Sequence, residues 1–303
     1  MNKKRIVIAG GSGFIGSALT AEWLEQGGEA VVLTRSPRPR SDGAIEAEWD
    51  GIHVGEWIQY LDGAEAVIGL AGKNINCRHT QTAVRELTES RVTPVQTIAA
   101  GIGHVTRAPR VWLQASAIGF YGNRGDTLLD EHSPGGQGTL AAICREWESA
   151  FESASVPHTR KVLLRIGVVL GRQGGALPLL ARLTRRFLGG RAGHGKQFVS
   201  WIHVKDLTQM FWQGIRRTDL QGTFNAVAPA PVTNAELMRR LRRALHRPWS
   251  PPAPAWILKI AAPLMGTDAS LALDSCRALP RRFAEAGFAF QFPDLDAAFR
   301  DIF

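Results

Sequence analysis

Residues 6 to 16, Ile-Val-Ile-Ala-Gly-Gly-Ser-Gly-Phe-Ile-Gly, constrain this chain more than any other stretch. An apolar, β-branched run enters a glycine cluster, and an amphipathic segment, Ser17 to Gln26, leaves it. Gly11, Gly13 and Gly16 satisfy G-x-G-x-x-G, while Gly10, Gly13 and Gly16 satisfy G-x-x-G-x-x-G. Glycine meets three needs in such a loop: a tight strand-to-helix turn, close backbone approach to a pyrophosphate, and close helix-to-strand packing. Phosphates would rest on the free N–H groups and positive dipole end of a helix beginning near Phe14. The pattern predicts a dinucleotide site built from Gly10, Gly11, Ser12, Gly13, Phe14, Ile15 and Gly16.

An NAD site usually carries an acidic residue at the end of the second strand, about 20 residues beyond the glycines. Here that strand, Ala30-Val31-Val32-Leu33, ends in Thr34-Arg35-Ser36, with no carboxylate. Arg35 offers a planar donor fork suited to a phosphate, and Arg38 and Arg40 follow it. Thr34 and Arg35 therefore point to NADP(H), held through its 2′-phosphate.

The remaining chain alternates strand-like and helix-like segments with short connections, which implies an α/β fold with a parallel sheet covered on both faces. Further strands are expected at 66–72, 110–116, 161–165 and 222–226, and helices at 82–103, 137–154, 176–188, 206–217 and 234–246. The expected division is a Rossmann-type domain over 1–228, with 170–198 contributing to the substrate cleft. A small C-terminal substrate lobe over 229–303 would be entered through a Pro-rich linker at 248–254. Ligands of such sheets bind outside the carboxyl ends of the strands. The loops at 10–16, 34–35, 71–74 and 116–122 all fall there.

The 303 residues suffice for one large α/β domain and a smaller lobe. No apolar run spans a membrane: Ala255 to Met265 is broken by Lys259 and Pro263. Three widely spaced cysteines, Cys77, Cys144 and Cys276, indicate neither a disulfide framework nor a metal site, and fit a reducing cytoplasm. The formal charge of +9 is mainly arginine, with Arg239, Arg240, Arg242, Arg243 and Arg247 on one helix and Arg182, Arg185 and Arg186 on another. Without a nucleic-acid motif or interleaved aromatics, this balance favours a solvated face or phosphate-bearing ligands over nucleic acid. Trp112, Trp147, Trp201 and Trp212 are expected in the core.

The glycine loop combines with Leu70-Ala71-Gly72, Ser90-Arg91-Val92, Ser116-Ala117-Ile118-Gly119-Phe120-Tyr121-Gly122 and Cys144-Arg145-Glu146-Trp147-Glu148. Further on come Gly174-Gly175-Ala176-Leu177, Gly193-His194-Gly195-Lys196-Gln197, Ser200-Trp201-Ile202-His203 and Gly287-Phe288-Ala289-Phe290. Together these resemble the extended short-chain dehydrogenase/reductase superfamily, and within it the atypical YfcH-like epimerase-family branch. The resemblance spans nearly the whole chain. It implies a doubly wound Rossmann-type domain, NADP(H) binding, cofactor contacts from Leu70, Ala71 and Gly72, and a small C-terminal lobe. By fold analogy it also implies a homodimer through the helices at 82–103 and 137–154.

One departure from that resemblance concerns the chemistry. The superfamily pairs a tyrosine and a lysine in Tyr-x-x-x-Lys, assisted by a serine, to move the substrate proton. The two tyrosines here, Tyr60 and Tyr121, are followed four residues later by Ala64 and Gly125. Counting back from Glu148 puts Cys144 at the lysine position, beside the cofactor, and Leu140 at the tyrosine position. Ser116 matches the family serine. Tyr121 either supplies the proton or anchors its loop. His203 is either a general acid/base or a hydrogen-bonded histidine organising a strand-to-helix turn, with Asp206 near the helix start. Gly189 to Gln197 is expected to be a mobile loop over the cleft, with Lys196 and Gln197 meeting an anionic small-molecule substrate. The sequence thus leaves two functions open: an NADP(H)-dependent oxidoreductase or epimerase-like enzyme with a nonstandard acid, or an NADP(H) sensor without turnover.

Overall fold

A computed structural model describes residues 3–264 and 266–303. Seven parallel strands form the central sheet, in the spatial order 222–226, 160–166, 111–117, 66–69, 5–9, 29–34, 45–48. Their sequences explain why they are central. Ile6–Ala9, Ala30–Leu33, Ala66–Ile68 and Val111–Leu113 are apolar without alternation and buried, as strands covered on both faces must be. The edge strand Ile45–Glu48 alternates charged and apolar residues, and its shortness and carboxylates hid it from pattern reading.

Strand order reverses between 5–9 and 66–69, and the parallel register pairs Ala9 with both Leu33 and Gly69. A crevice therefore opens at this switch point, at the strands' carboxyl ends. The expected helices form at 81–103, 139–153, 177–185, 204–216 and 234–244. Thr80 and Thr233 cap two of them by accepting hydrogen bonds from the backbone N–H groups of Ala83 and Glu236. The four tryptophans expected in the core are buried there.

A second apolar core draws on Leu170, Leu177 and Trp201 as well as Leu237, Met238, Leu241, Phe292, Leu295 and Phe299. Phe283 and Phe288, by contrast, pack into the sheet's own core, Phe283 against Phe224. The lobe is therefore assembled from separated stretches, and part of the C-terminal region belongs physically to the sheet. The expected mobile loop at 189–197 is pinned. Gly193 donates its N–H to Ala253 O, Ala253 donates to Arg191 O, and Ala192 donates to Asn234 Oδ1. The Pro-rich segment is thus a strap lying on this loop rather than a free linker. Gln197 is buried, its Nε2 donating to Ala192 O and Ala272 O, so it ties the loop down instead of facing a substrate.

The arginine-rich helix is largely self-satisfied. Arg239 and Arg240 pair with Glu236, Arg240 reaches Asp296 as well, and Arg242 donates to Gly189 O. Among the described residues, no helix is long and apolar enough to cross a membrane.

Candidate functional site

The strand ending at Ala9 turns through Gly10, whose φ of +81° favours glycine. Side-chain space is also missing: a Cβ on Gly10 would lie 2.9 Å from Ala71 N and from the Leu70 carbonyl carbon. Leu70 N donates to Ala9 O, so the 70–72 segment lies directly against the glycine loop. A Cβ on Gly16 would lie 2.5 Å from Gly11 Cα, which is the close packing expected of the third glycine. Gly13 is different. Its φ is −79° and its Cβ would approach nothing closer than Gly10 O at 3.4 Å. The protein itself does not demand glycine here, whereas a ligand resting on the loop would. Gly13 is also the N-cap of the helix Phe14–Glu25 and offers no side chain to its free N–H groups, leaving them for an anion. The Phe14 ring packs over Gly171 and Gly174, joining this loop to the one at 171–175. Ser12 is exposed and Ile15 half-buried.

Thr34 ends the second strand, and Arg35 lies exposed beyond it, with no ion pair among the described residues. Arg40 is committed to Asp42 and Glu46, which removes it as a rival phosphate ligand. The residues therefore fit a dinucleotide with a 2′-phosphate: a glycine cradle, free helix N–H groups, and the exposed guanidiniums of Arg35 and Arg38 beyond the second strand's end.

At the other end of the crevice, Val111–Ala117 runs into a single turn, Ile118–Tyr121. Leu140 and Cys144 face that turn: a Cβ on Gly119 would lie 3.5 Å from Leu140 Cβ and 3.6 Å from Cys144 Sγ. The two positions located by counting along the helix are thus neighbours at the strand end, and neither carries an acid. Burial pushes the Cys144 thiol up to about 12, aided by the Glu148 charge and opposed by Arg91 and Arg165. A thiol so placed stays protonated, and is neither a nucleophile nor a substitute cation.

The other side chains expected to act in catalysis all have partners within the fold. Ser116 is buried and donates to Glu148 Oε1 at 2.6 Å. Glu148 is in turn gripped by Arg165, Nε at 3.0 Å from Oε1 and Nη2 at 2.8 Å from Oε2. Arg165 Nη1 donates to Tyr121 Oη at 3.0 Å and its guanidinium covers the Phe120 ring. Tyr121 is fully buried, its hydroxyl within hydrogen-bond reach of the Asp130 carbonyl and Asn225 Oδ1. Burial pushes the phenol up to about 12, with Arg165 pulling it back. These contacts are those of a loop anchor, the second of the two roles weighed for Tyr121. Sequence reasoning missed this network. Its one signal was Arg165, a charge directly after the apolar run Val162–Leu164 of the strand.

His203 is likewise a framework residue. It caps the helix Val204–Arg216, its Nδ1 accepting from Lys205 N, and its ring lies 3.9 Å from that of Phe292. Its Nε2 is 3.3 Å from Asp301 Oδ2. Asp206 accepts the N–H groups of Gln291 and Phe292, fastening the same C-terminal stretch. Burial pushes His203 down to about 4, Asp301 opposing the shift and Lys205 adding to it. An unfolded imidazole titrates near 6.5. Between these values the unfolded chain binds a proton that the folded chain refuses, so this contribution is complete above pH ~6.5 and drains away as pH falls towards 4. Urea midpoints are expected to drop from pH 7 to 4.5, and to drop less in His203→Gln. Equal drops in the two proteins would discharge His203 as the cause.

Comparison with known proteins agrees with this geometry. Residues 6–226 match the NAD-dependent epimerase/dehydratase family, and residues 253–302 match DUF1731, a domain of unknown function. The human epimerase family protein SDR39U1 is 33% identical over 98% of this chain and 99% of its own. A chloroplastic SDR39U1 homologue from Arabidopsis thaliana is 34% identical over 98% of this chain and 86% of its own. A crystal structure of human SDR39U1 isoform 2 with NADPH superposes with a TM-score of 0.88 at 32% identity, covering 98% of each chain. A UDP-N-acetylglucosamine 4-epimerase from Bacillus cereus has a TM-score of 0.77 at 17% identity, over 99% of this chain and 95% of its own, and shares the fold. With its seven-stranded parallel sheet, its glycine loop at the switch point and these relatives along nearly its whole length, the chain belongs to the NAD-dependent epimerase/dehydratase family.

Proposed function

We propose that the protein binds NADP(H) in the 10–16 crevice and acts as an oxidoreductase or epimerase-like enzyme on a small carbonyl or sugar-nucleotide-like substrate. The observation that carries the cofactor reading is the pairing of a glycine needed only by a ligand, Gly13, with an exposed Arg35 that has no ion pair among the described residues. The human relative crystallised with NADPH supports it. Thr34 and Arg35 would hold the 2′-phosphate, the N–H groups after Gly13 the diphosphate, and Leu70 to Gly72 the crossing between strand ends. Hydride chemistry is what such a cofactor supplies when bound. This chain's part is to position it and to keep water away through Leu140 and Cys144. With Ser116, Tyr121 and His203 held in the framework, our reading takes the proton from the substrate or from water. The three free cysteines suit a reducing cytoplasm.

The test is direct. Wild-type protein should bind NADPH more tightly than NADH, and Arg35→Ala should remove about tenfold of that preference, the worth of a charge-assisted phosphate contact. An unchanged preference would discard the 2′-phosphate assignment. Nicotinamide absorbance should then change with a member of a panel of carbonyl compounds and sugar nucleotides. The apolar Leu140–Cys144 pair favours a second reading, a sensor without turnover, which tight NADPH binding with no change across the panel would support.

A further inference from the structure

The helix Ala255–Leu264 carries large apolar side chains that the described residues do not cover. Within it only Ala262 is buried, while Trp256, Ile260 and Leu264 are 66%, 61% and 77% exposed. Their i, i+4, i+8 spacing puts them on one face. Just before the helix, Trp249 is 65% exposed. The strap that carries it runs beside the 185–193 segment: Arg247 Nε donates to Arg185 O, and Gly193 N–H to Ala253 O. Phe187 and Leu188, both exposed, lie on that neighbouring segment. Apolar side chains gathered in this way on a folded chain mark an interaction surface.

Backbone strain falls in the same place. Among the described residues, Phe187 (φ +59°) and His246 (φ +54°) are the only non-glycine residues with positive φ. Each follows a helix end where glycine ordinarily sits, Phe187 N–H donating to Thr184 O and His246 N–H to Arg243 O. An aromatic that is both strained and exposed serves neither folding nor solubility.

The surrounding charge has one sign. Residues 153–205 and 237–267 contain no Asp or Glu. Arg185, Arg186, Arg243 and Lys259 are exposed there without an ion pair among the described residues, and the Arg247 guanidinium lies 5.3 Å from the Phe187 ring. A second copy of this chain would bring the same cations, so two-fold pairing through this face would set like charges together. An anionic bilayer is complementary: headgroup phosphates suit the guanidiniums, and the interfacial zone suits tryptophan and the aliphatic tips.

We propose that this face docks the protein on the surface of an anionic lipid bilayer. Trp249, Trp256, Ile260 and Leu264 enter the interface, and the flanking cations rest on the headgroups. The contact is peripheral, since no helix among the described residues is long and apolar enough to cross.

Sedimentation of the full chain with vesicles tests this. Wild type is expected to pellet with phosphatidylcholine–phosphatidylglycerol vesicles at low salt, to stay free with phosphatidylcholine alone, and to be released in part at high salt. Its tryptophan emission should shift to the blue on binding. Trp256→Ser combined with Ile260→Ser should weaken partitioning about tenfold or more, and Arg186→Glu combined with Lys259→Glu by a similar factor. The substituted side chains are exposed, so both variants should melt as wild type does. Should the serine variant not fold, Trp249→Ser decides on the same terms. Wild type that ignores the anionic vesicles would overturn the proposal. So would a serine variant that binds like wild type, which would leave charge attraction alone. A wild-type dimer that the serine substitutions dissociate, with no vesicle binding, would assign the face to a second copy instead.

Discussion

Glu148→Ala is expected to destabilise the fold by about 3–5 kcal/mol, the largest loss of any single substitution considered. The carboxylate accepts from Ser116 and from two arms of Arg165, and both partners of the ion pair are almost wholly buried. Removing it strands the Arg165 guanidinium, with its hydrogen bond to Tyr121, in the core. The cost is that of an unmatched buried charge rather than the net worth of the pair. The double variant Glu148→Met with Arg165→Met therefore should be less damaged than Glu148→Ala, because no lone charge remains. Urea denaturation measures both. A single-variant loss below about 1 kcal/mol, or a double variant worse than the single, would show that the pair is not isolated from water. Because the network holds the Ile118–Tyr121 turn, loosening it should reach the crevice as well.

Gly13→Ala is expected to weaken NADPH binding roughly a hundredfold while leaving the melting temperature of the ligand-free protein within a degree or two. Its backbone has φ −79°, and the added methyl meets only Gly10 O at an ordinary 3.4 Å, so folding has little to lose. The ligand has much to lose, because the methyl takes up the space through which a phosphate reaches the helix N–H groups. Gly16→Ala provides the contrast. Its methyl would sit 2.5 Å from Gly11 Cα, so the loop must move and both stability and binding should fall. Unaltered NADPH affinity in Gly13→Ala would place the cofactor elsewhere; a large fall in its melting temperature would show instead that the loop itself needs the glycine.

The sheet and the cofactor cradle were legible in the sequence because local rules fix them. Continuous apolar runs mark strands buried on both faces, and glycine spacing marks a turn of one geometry, so Ile6 to Gly16 announced both. Leu140 and Cys144 were singled out by the family resemblance, counted back from Glu148, and the fold brings both to Gly119.

What a polar residue does was not legible, because it depends on partners far away in the chain. Tyr121 is committed to Asn225, Ser116 to Glu148, and His203 to the Phe292–Asp301 stretch. Each is an ordinary catalytic residue type, and each is held inside the fold by partners distant in the chain. By itself the sequence determined the fold, the glycine loop and the arginine after the second strand, since short-range patterning dictates them. Only the tertiary structure decided which polar groups are free to act, since burial and pairing are properties of the packed chain.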